Sequence, residues 1–155
     1  MRILLVVLGF LAIGLLLWLI VPNWMSWSAV ALPEWMRWSG FALVVAGLAL
    51  LTWAHRTLSS SFSSNLEIRE QHQLVMTGPY QWIRHPIYSA ISLWSAGMAL
   101  MTANWFVGLM PVAFALFFML RVPLEEKMMV EAFGNEYMEY MNRTGDFVPR
   151  LIRQY

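Results

Sequence analysis

Arginine, histidine and tyrosine crowd into one short stretch of this chain, GPYQWIRHPIYS from Gly78 to Ser89, where a polar segment gives way to a long apolar one. Pro86 lacks an amide proton and favours the first position of a helix. It also biases the preceding His85 towards extended geometry. Arg84 and His85 are therefore expected just outside a helix that begins at Pro86, beside free backbone N–H groups. A guanidinium, an imidazole and a helix N-terminus together suit an anion, such as the carboxylate or phosphate of a ligand. His72, Tyr80 and Tyr88 add donors and aromatic faces to the same segment. The plainer alternative is that Arg84 anchors the chain at a membrane surface and His85 is an interfacial side chain.

A second cluster is RVPLEE, Arg121 to Glu126. Arg121 and Glu125 stand four apart, which allows an ion pair within one helix, although Arg before Glu is the poorer order. An Arg at the end of a span also commonly snorkels to the headgroups. Pro123 between them is expected to kink or restart the helix and let the two side chains face different partners. Other chemistries lack their residues. The chain has no Cys, which excludes disulfides and thiolate catalysis. His55, His72 and His85 are too scattered for a helix-borne zinc pair. The nine glycines form neither GxGxxG nor a phosphate loop. No basic run exists that would suit nucleic acid.

The elements that must position these residues are apolar. Of 155 residues 59% are hydrophobic and 12% charged, against roughly 25% charged in a soluble domain. Four segments are long enough, or nearly so, to cross the hydrocarbon of a bilayer: Ile3–Val21, Trp38–Ala54, Ile87–Ala103 and Trp105–Val122. The turn Thr102-Ala103-Asn104 is so tight that the last two are expected to form a hairpin. Four spans place Arg2, Arg56, Arg69, Arg84, Arg121, Lys127, Arg143, Arg150 and Arg153 on one side and Arg37 alone on the other. That asymmetry predicts both termini in the cytoplasm, with a band of Trp24, Trp27, Trp35, Trp38 and Trp105 at the opposite interface. Ala29-Val30-Ala31 has the look of a signal-peptide cleavage site, but the apolar run before it is longer than such peptides carry, so it is read as a span.

The expected architecture is all-α and integral to the membrane: four transmembrane helices, the last two a hairpin over 87–122, and a C-terminal amphipathic interfacial helix over 124–141. Residues 1–56 would supply the first two spans and residues 57–155 a catalytic part, in one structural domain. The Ser-rich TLSSSFSSN, Thr57–Asn65, has no apolar period and reads as a loop. A short extended piece follows at Leu74–Thr77, then a turn at Gly78-Pro79. Leu124, Met128, Ala132, Phe133, Tyr137, Tyr140 and Met141 recur at helical spacing with acids on the other side, and Gly134 is a weak point within them. A helix that merely tucks in the tail would explain this pattern equally.

Taken together, HQLVMTGPYQWIRHPIY, RVPLEEKMMVEAFGNEYMEY and VPRLI resemble the catalytic half of the isoprenylcysteine carboxyl methyltransferase family, over about Gln71 to Ile152. Related membrane methyltransferases acting on phospholipid amines or small thiols share the RHPxY and EE pattern. The resemblance implies an S-adenosyl-L-methionine-dependent enzyme with a cytoplasm-facing pocket at the membrane surface. It implies that His72, Gln73, Leu74 and Val75 line the cofactor pocket and that Tyr80 closes it. His85, Pro86, Ile87 and Tyr88 would contact the cofactor, Glu125 would bind it, and Arg84 would take its carboxylate. Arg121 would meet the substrate near the methyl-transfer centre. The chain departs from the family pattern in having four expected spans rather than five or more, Ala90 where Gly often follows RHPxY, and no Pro after Ile152.

Methyl transfer from a sulfonium is an in-line displacement that needs no metal and little acid–base help, so positioning carries most of it. The expected partners are a lipophilic or small acceptor (a carboxylate, amine or thiol) and the lipid bilayer, in the cytoplasmic membrane of a prokaryote, with no nucleic acid. An amine would have to arrive deprotonated, and only His72 or Glu126 offers a base. Two other classes compete. A small transporter would need an ionisable group inside the membrane, which the first three spans lack. A non-catalytic scaffold could pack through the small residues Ala42/Ala46 and Ser92/Ala96.

Overall fold

The computed structural model describes residues 2–64 and 74–150. It contains five α-helices: α1 Arg2–Ile20, α2 Glu34–Ser64, α3 Pro86–Thr102, α4 Leu109–Phe133 and α5 Asn135–Arg143. Short 3-10 turns cover Pro22–Ser28 and Gly78–Gln81. Among the described residues there is no strand, only isolated bridges between Ala29 and Asn104 and between Ile83 and Gly145. The all-α expectation is met. Among the described residues one helix, over Glu34–Ser59, is long and apolar enough to cross a membrane; Val6–Ile20 is a shorter apolar helix.

The contacts divide the chain into two compact units. The first comprises Met1–Gly47 and Ile91–Val122. Its core joins Leu11 and Leu15 of α1, Met98 of α3, and Met110 and Ala113 of α4, around the fully buried Val107. The turn between α3 and α4 is closed by a buried polar knot. Asn104 accepts from the backbone N–H groups of Phe106 and Val107 and donates from Nδ2 to Ser28 Oγ at 2.7 Å. Ala103 just before it takes a left-handed φ of 47°. α2 and α3 approach closely at Gly40 and Gly97, where a Cβ on Gly97 would stand 2.6 Å from the Gly40 carbonyl oxygen and 2.7 Å from the Val44 nitrogen. The small residues singled out in the sequence are not this contact: Ala42 and Ala46 are exposed. Phe10, Ile13, Trp35, Trp38, Phe41 and Val45 are exposed as well, an apolar surface of the kind that is covered rather than left to water.

The second unit comprises Leu48–Ala90 and Pro123–Tyr155. Three expectations about its elements are corrected. Thr57–Ser64 is the end of α2, not a loop. Serine costs only a few tenths of a kcal/mol in a helix, and extending a helix already nucleated adds a hydrogen bond per residue. Thr57 also bonds Trp53 O through its hydroxyl at 3.0 Å. Pro123 does not restart a helix, because α4 runs through it to Phe133. One lost N–H is outweighed by the helix formers Leu-Glu-Glu-Lys-Met-Met that follow. The expected helix over 124–141 is divided at Gly134, whose φ of 55° is open to glycine, and α5 begins there.

Elsewhere the local reading holds. Pro86 opens α3, and Thr77 is extended, at φ −109° and ψ 171°. Gly78 turns the chain with φ +58°, and a Cβ on it would collide with the Thr57 side chain.

Candidate active site

The site lies within the second unit. Its foundation is the C-terminal segment after α5, which runs beside the RHP corner as a backbone clasp. Gly145 N donates to Trp82 O at 3.0 Å, Arg84 N to Gly145 O at 2.8 Å, and His85 N to Asp146 O at 3.0 Å. Ser89 Oγ donates to Phe147 O at 2.6 Å. Gly145 suits this close approach, since a Cβ there would run into the Val148 carbonyl. Tyr140 of α5 donates its hydroxyl to Tyr80 O at 2.6 Å.

Arg84 is the centre of the clasp. Its side chain is 7% exposed. Nε donates to Glu126 Oε1 at 2.8 Å, Nη1 to the carbonyls of Met141 at 3.1 Å and Thr144 at 2.7 Å, and Nη2 to Asp146. All three nitrogens of a group that almost never lies buried unpaired thus have protein acceptors.

His85 is held on its faces and its edges. Tyr88 stacks on it, with centroids 5.5 Å apart and planes at 8°, and Phe147 lies 6.1 Å away. Its Nε2 stands 3.4 Å from Glu126 Oε1 and its Nδ1 3.8 Å from Glu125 Oε2. A carboxylate only accepts, so the nearer contact favours the tautomer with its proton on Nε2. Tyr88 donates its hydroxyl to Glu125 Oε1 at 2.7 Å.

These side chains surround a cavity of about 210 Å³ lined by Tyr80, Arg84, His85, Pro86, Ile87, Tyr88 and Glu125. Seven residues named from the sequence, drawn from two regions about forty positions apart, therefore share one cavity. Leu74 and Val75 are half-buried and are not among its lining. His72 and Gln73 lie outside the described residues. Arg121 is on α4 one turn before Glu125, half-buried, and belongs to the first unit.

The sequence reading missed the clasp. It weighed Glu126 only as a base, placed Tyr140 only on the face of a helix, and gave no role to Asp146 or Phe147. A signal did exist: an Arg beside an apolar helix needs an acid if it is buried.

Burial pushes the phenol of Tyr80 up to about 12, and it raises Tyr137 to about 12 with the Glu126 carboxylate adding to the effect. Tyr140 moves the same way, through burial first and the Tyr137 phenol second. Folding thus favours the neutral phenols. The stability they contribute is complete below pH 10, their ordinary value, and is lost as pH rises towards 12. Tyrosinate absorbance followed along an alkaline titration is expected to show these tyrosines ionising late and together with loss of helix signal. Ionisation of all five tyrosines near pH 10, with the fold intact, would contradict the burial described.

The cavity's chemistry suits a zwitterionic ligand. Glu125 offers an anion for an ammonium, Tyr88 an aromatic face for a cation, and the positive N-terminal end of α3 a place for a carboxylate.

Comparison with known proteins points the same way. The model of the isoprenylcysteine carboxyl methyltransferase (ICMT) family matches residues 40–131, a range that contains every lining residue of the cavity. Protein-S-isoprenylcysteine O-methyltransferase B of Arabidopsis thaliana is 37% identical over 113 residues, 69% of this chain and 56% of that protein. Protein-S-isoprenylcysteine O-methyltransferase of Saccharomyces cerevisiae is 38% identical over 111 residues, 69% of this chain and 46% of the relative. The human one is 36% identical over 113 residues, 69% of this chain and 39% of the relative. The chain thus spans about half the length of the curated relatives it matches. With the family model covering more than half of its 155 residues, this chain belongs to the isoprenylcysteine carboxyl methyltransferase family.

Proposed function

We propose that this chain is a membrane methyltransferase that moves the methyl group of S-adenosyl-L-methionine to a lipophilic acceptor at the cytoplasmic face of the membrane. The observation that carries the reading is the single cavity uniting Tyr80, Arg84, His85, Pro86, Ile87, Tyr88 and Glu125. When bound, S-adenosyl-L-methionine supplies an electrophilic methyl group on a positively charged sulfur.

The residues divide the work. Glu125 holds the donor's ammonium or ribose hydroxyls, and Tyr88 fixes the Glu125 carboxylate by donating to it. The rings of Tyr80 and Tyr88 face the cationic sulfur, a contact of about 0.5–2 kcal/mol. Pro86 and Ile87 carry the α3 N-terminus to the donor's carboxylate. Arg84 forms wall rather than a reaching arm, because its N–H groups already serve Glu126, Asp146 and two carbonyls. The family resemblance assigns His72, Gln73, Leu74 and Val75 to the donor and Arg121 to the acceptor's anionic group. Excluding water from such a pocket strengthens the fixed electrostatics around the reacting centre.

The membrane reading extends the one span-length helix to four crossings by α1–α4, both termini in the cytoplasm, with α5 at the interface. It is supported by the exposed apolar side chains of α1 and α2 and by the Lys and Arg asymmetry. The relatives are named for methylating an isoprenylcysteine. A carboxylate of that kind is the acceptor this chain's chemistry favours, since no deprotonation of the acceptor is required.

Calorimetric titration of protein in nanodiscs with S-adenosyl-L-methionine tests the first half, and labelled-methyl transfer to a prenylated cysteine and to a whole-lipid extract tests the second. Saturable binding and a labelled lipophilic product are expected. Wild-type protein that binds no donor removes the proposal, and binding without any methylated product leaves a donor-binding protein only.

A further inference from the structure

Two adjacent carboxylates on α4 meet the RHP corner, and they meet it differently. Glu125 lines the cavity, whereas Glu126 is not among the residues that do. Glu126 instead uses one oxygen, Oε1, for both members of the corner: Arg84 Nε at 2.8 Å and His85 Nε2 at 3.4 Å. The three side chains are 16%, 7% and 10% exposed, so water competes little for these contacts. We propose that Glu126 is a positioning residue for this pocket: it holds Arg84 and His85 from behind and so sets the wall against which Glu125 acts. The proposal deepens the donor-binding reading above and rests on it.

The physical argument starts from His85. Stacking on Tyr88 restricts the plane of the imidazole but leaves which nitrogen carries the proton to the edge contacts. A carboxylate at Nε2 favours a proton on Nε2, and Nδ1 is the edge nearer Glu125. The same oxygen anchors Arg84, whose other bonds hold Met141, Thr144 and Asp146. One acid therefore ties α4, the RHP corner and the C-terminal clasp to a common point within the second unit. Glu125 cannot substitute for it: its Oε1 is taken by Tyr88 and its Oε2 is 3.8 Å from the other ring nitrogen.

The test reads the imidazole itself. Protein labelled with 15N-histidine in micelles contains three histidines, and His85→Asn assigns the ring signals of His85. In Glu126→Gln, which keeps the shape and an acceptor but removes the charge, the two His85 ring nitrogens are expected to shift while those of His55 stay in place. Glu126→Asp, which restores the charge one methylene shorter, should move them part of the way back. Affinity for S-adenosylhomocysteine should fall about ten- to a hundredfold in Glu126→Gln, the scale of the loss seen at metal sites when the carboxylate orienting a ligating histidine is removed. A melting curve identifies a variant that is unfolded, in which case Glu126→Asp carries the test. His85 nitrogens at wild-type positions in folded Glu126→Gln and Glu126→Asp overturn the proposal. A wild-type protein that binds no donor or product overturns the donor reading instead, and the ring signals still judge Glu126.

Discussion

Arg84→Ala is expected to destabilise the protein by about 3–5 kcal/mol, the usual cost of breaking a buried ion pair from one side. The substitution leaves Glu126 charged at 16% exposure with its principal partner gone. It also strips the carbonyls of Met141 and Thr144 of their donors. The Asp146 contact adds little, because that carboxylate is 55% exposed and solvent screens it. In a domain of this size the loss corresponds to a fall of roughly 6–20 °C in Tm, measured by circular dichroism in detergent. Arg84→Lys should recover only part of it, since an ammonium cannot spread donors over four acceptors in a plane. Arg143→Ala is the control: its partner Glu139 and Arg143 itself are both largely exposed, and such a pair is worth about 0.3–0.5 kcal/mol. Melting of Arg84→Ala at the wild-type temperature would mean that the clasp does not hold the second unit together.

The second large effect falls on binding rather than folding. Glu125→Ala is expected to weaken S-adenosyl-L-methionine binding by about 2–5 kcal/mol, which is at least about thirtyfold, the range for truncating one side of a desolvated, hydrogen-bonded charge contact. Tyr88 loses the acceptor of its hydroxyl at the same time, so its ring loosens as well. Glu131→Ala, six positions on along the same helix and paired with Lys127 at 3.9 Å on an exposed face, should bind as wild type does. Titration of the three proteins side by side decides the matter. Equal affinity in Glu125→Ala and wild type would take Glu125 out of the site and leave the cavity's acidic wall without a role.

How much of this was legible in the chain alone depends on the range of the interaction. Pro86 as the first residue of α3 and Gly78-Pro79 as a turn were readable because a ring-locked φ and a glycine in the left-handed region are properties of single residues. The apolar segments were readable because hydropathy sums locally. Seven of the named site residues share a cavity; the sequence joined them only through the family resemblance of the RHPxY and EE motifs, since neither motif locates the other. The Ser-rich stretch was misjudged for the opposite reason. Helix propensity at Thr57–Ser64 is a weak local term, and propagation from a long helix behind it, with Gly78 packed against Thr57, overrode it.

The clasp is what only the tertiary structure decided. Arg84 lies 42 positions from Glu126 and 62 from Asp146, and no periodicity links them. A cation at a helix mouth reads the same in sequence whether it will grip a ligand or bind its own chain. Which of the two happens depends on whether acceptors arrive from elsewhere in the fold before solvent or ligand does. Here the carbonyls of Met141 and Thr144 and two acids arrive and accept the guanidinium's N–H groups.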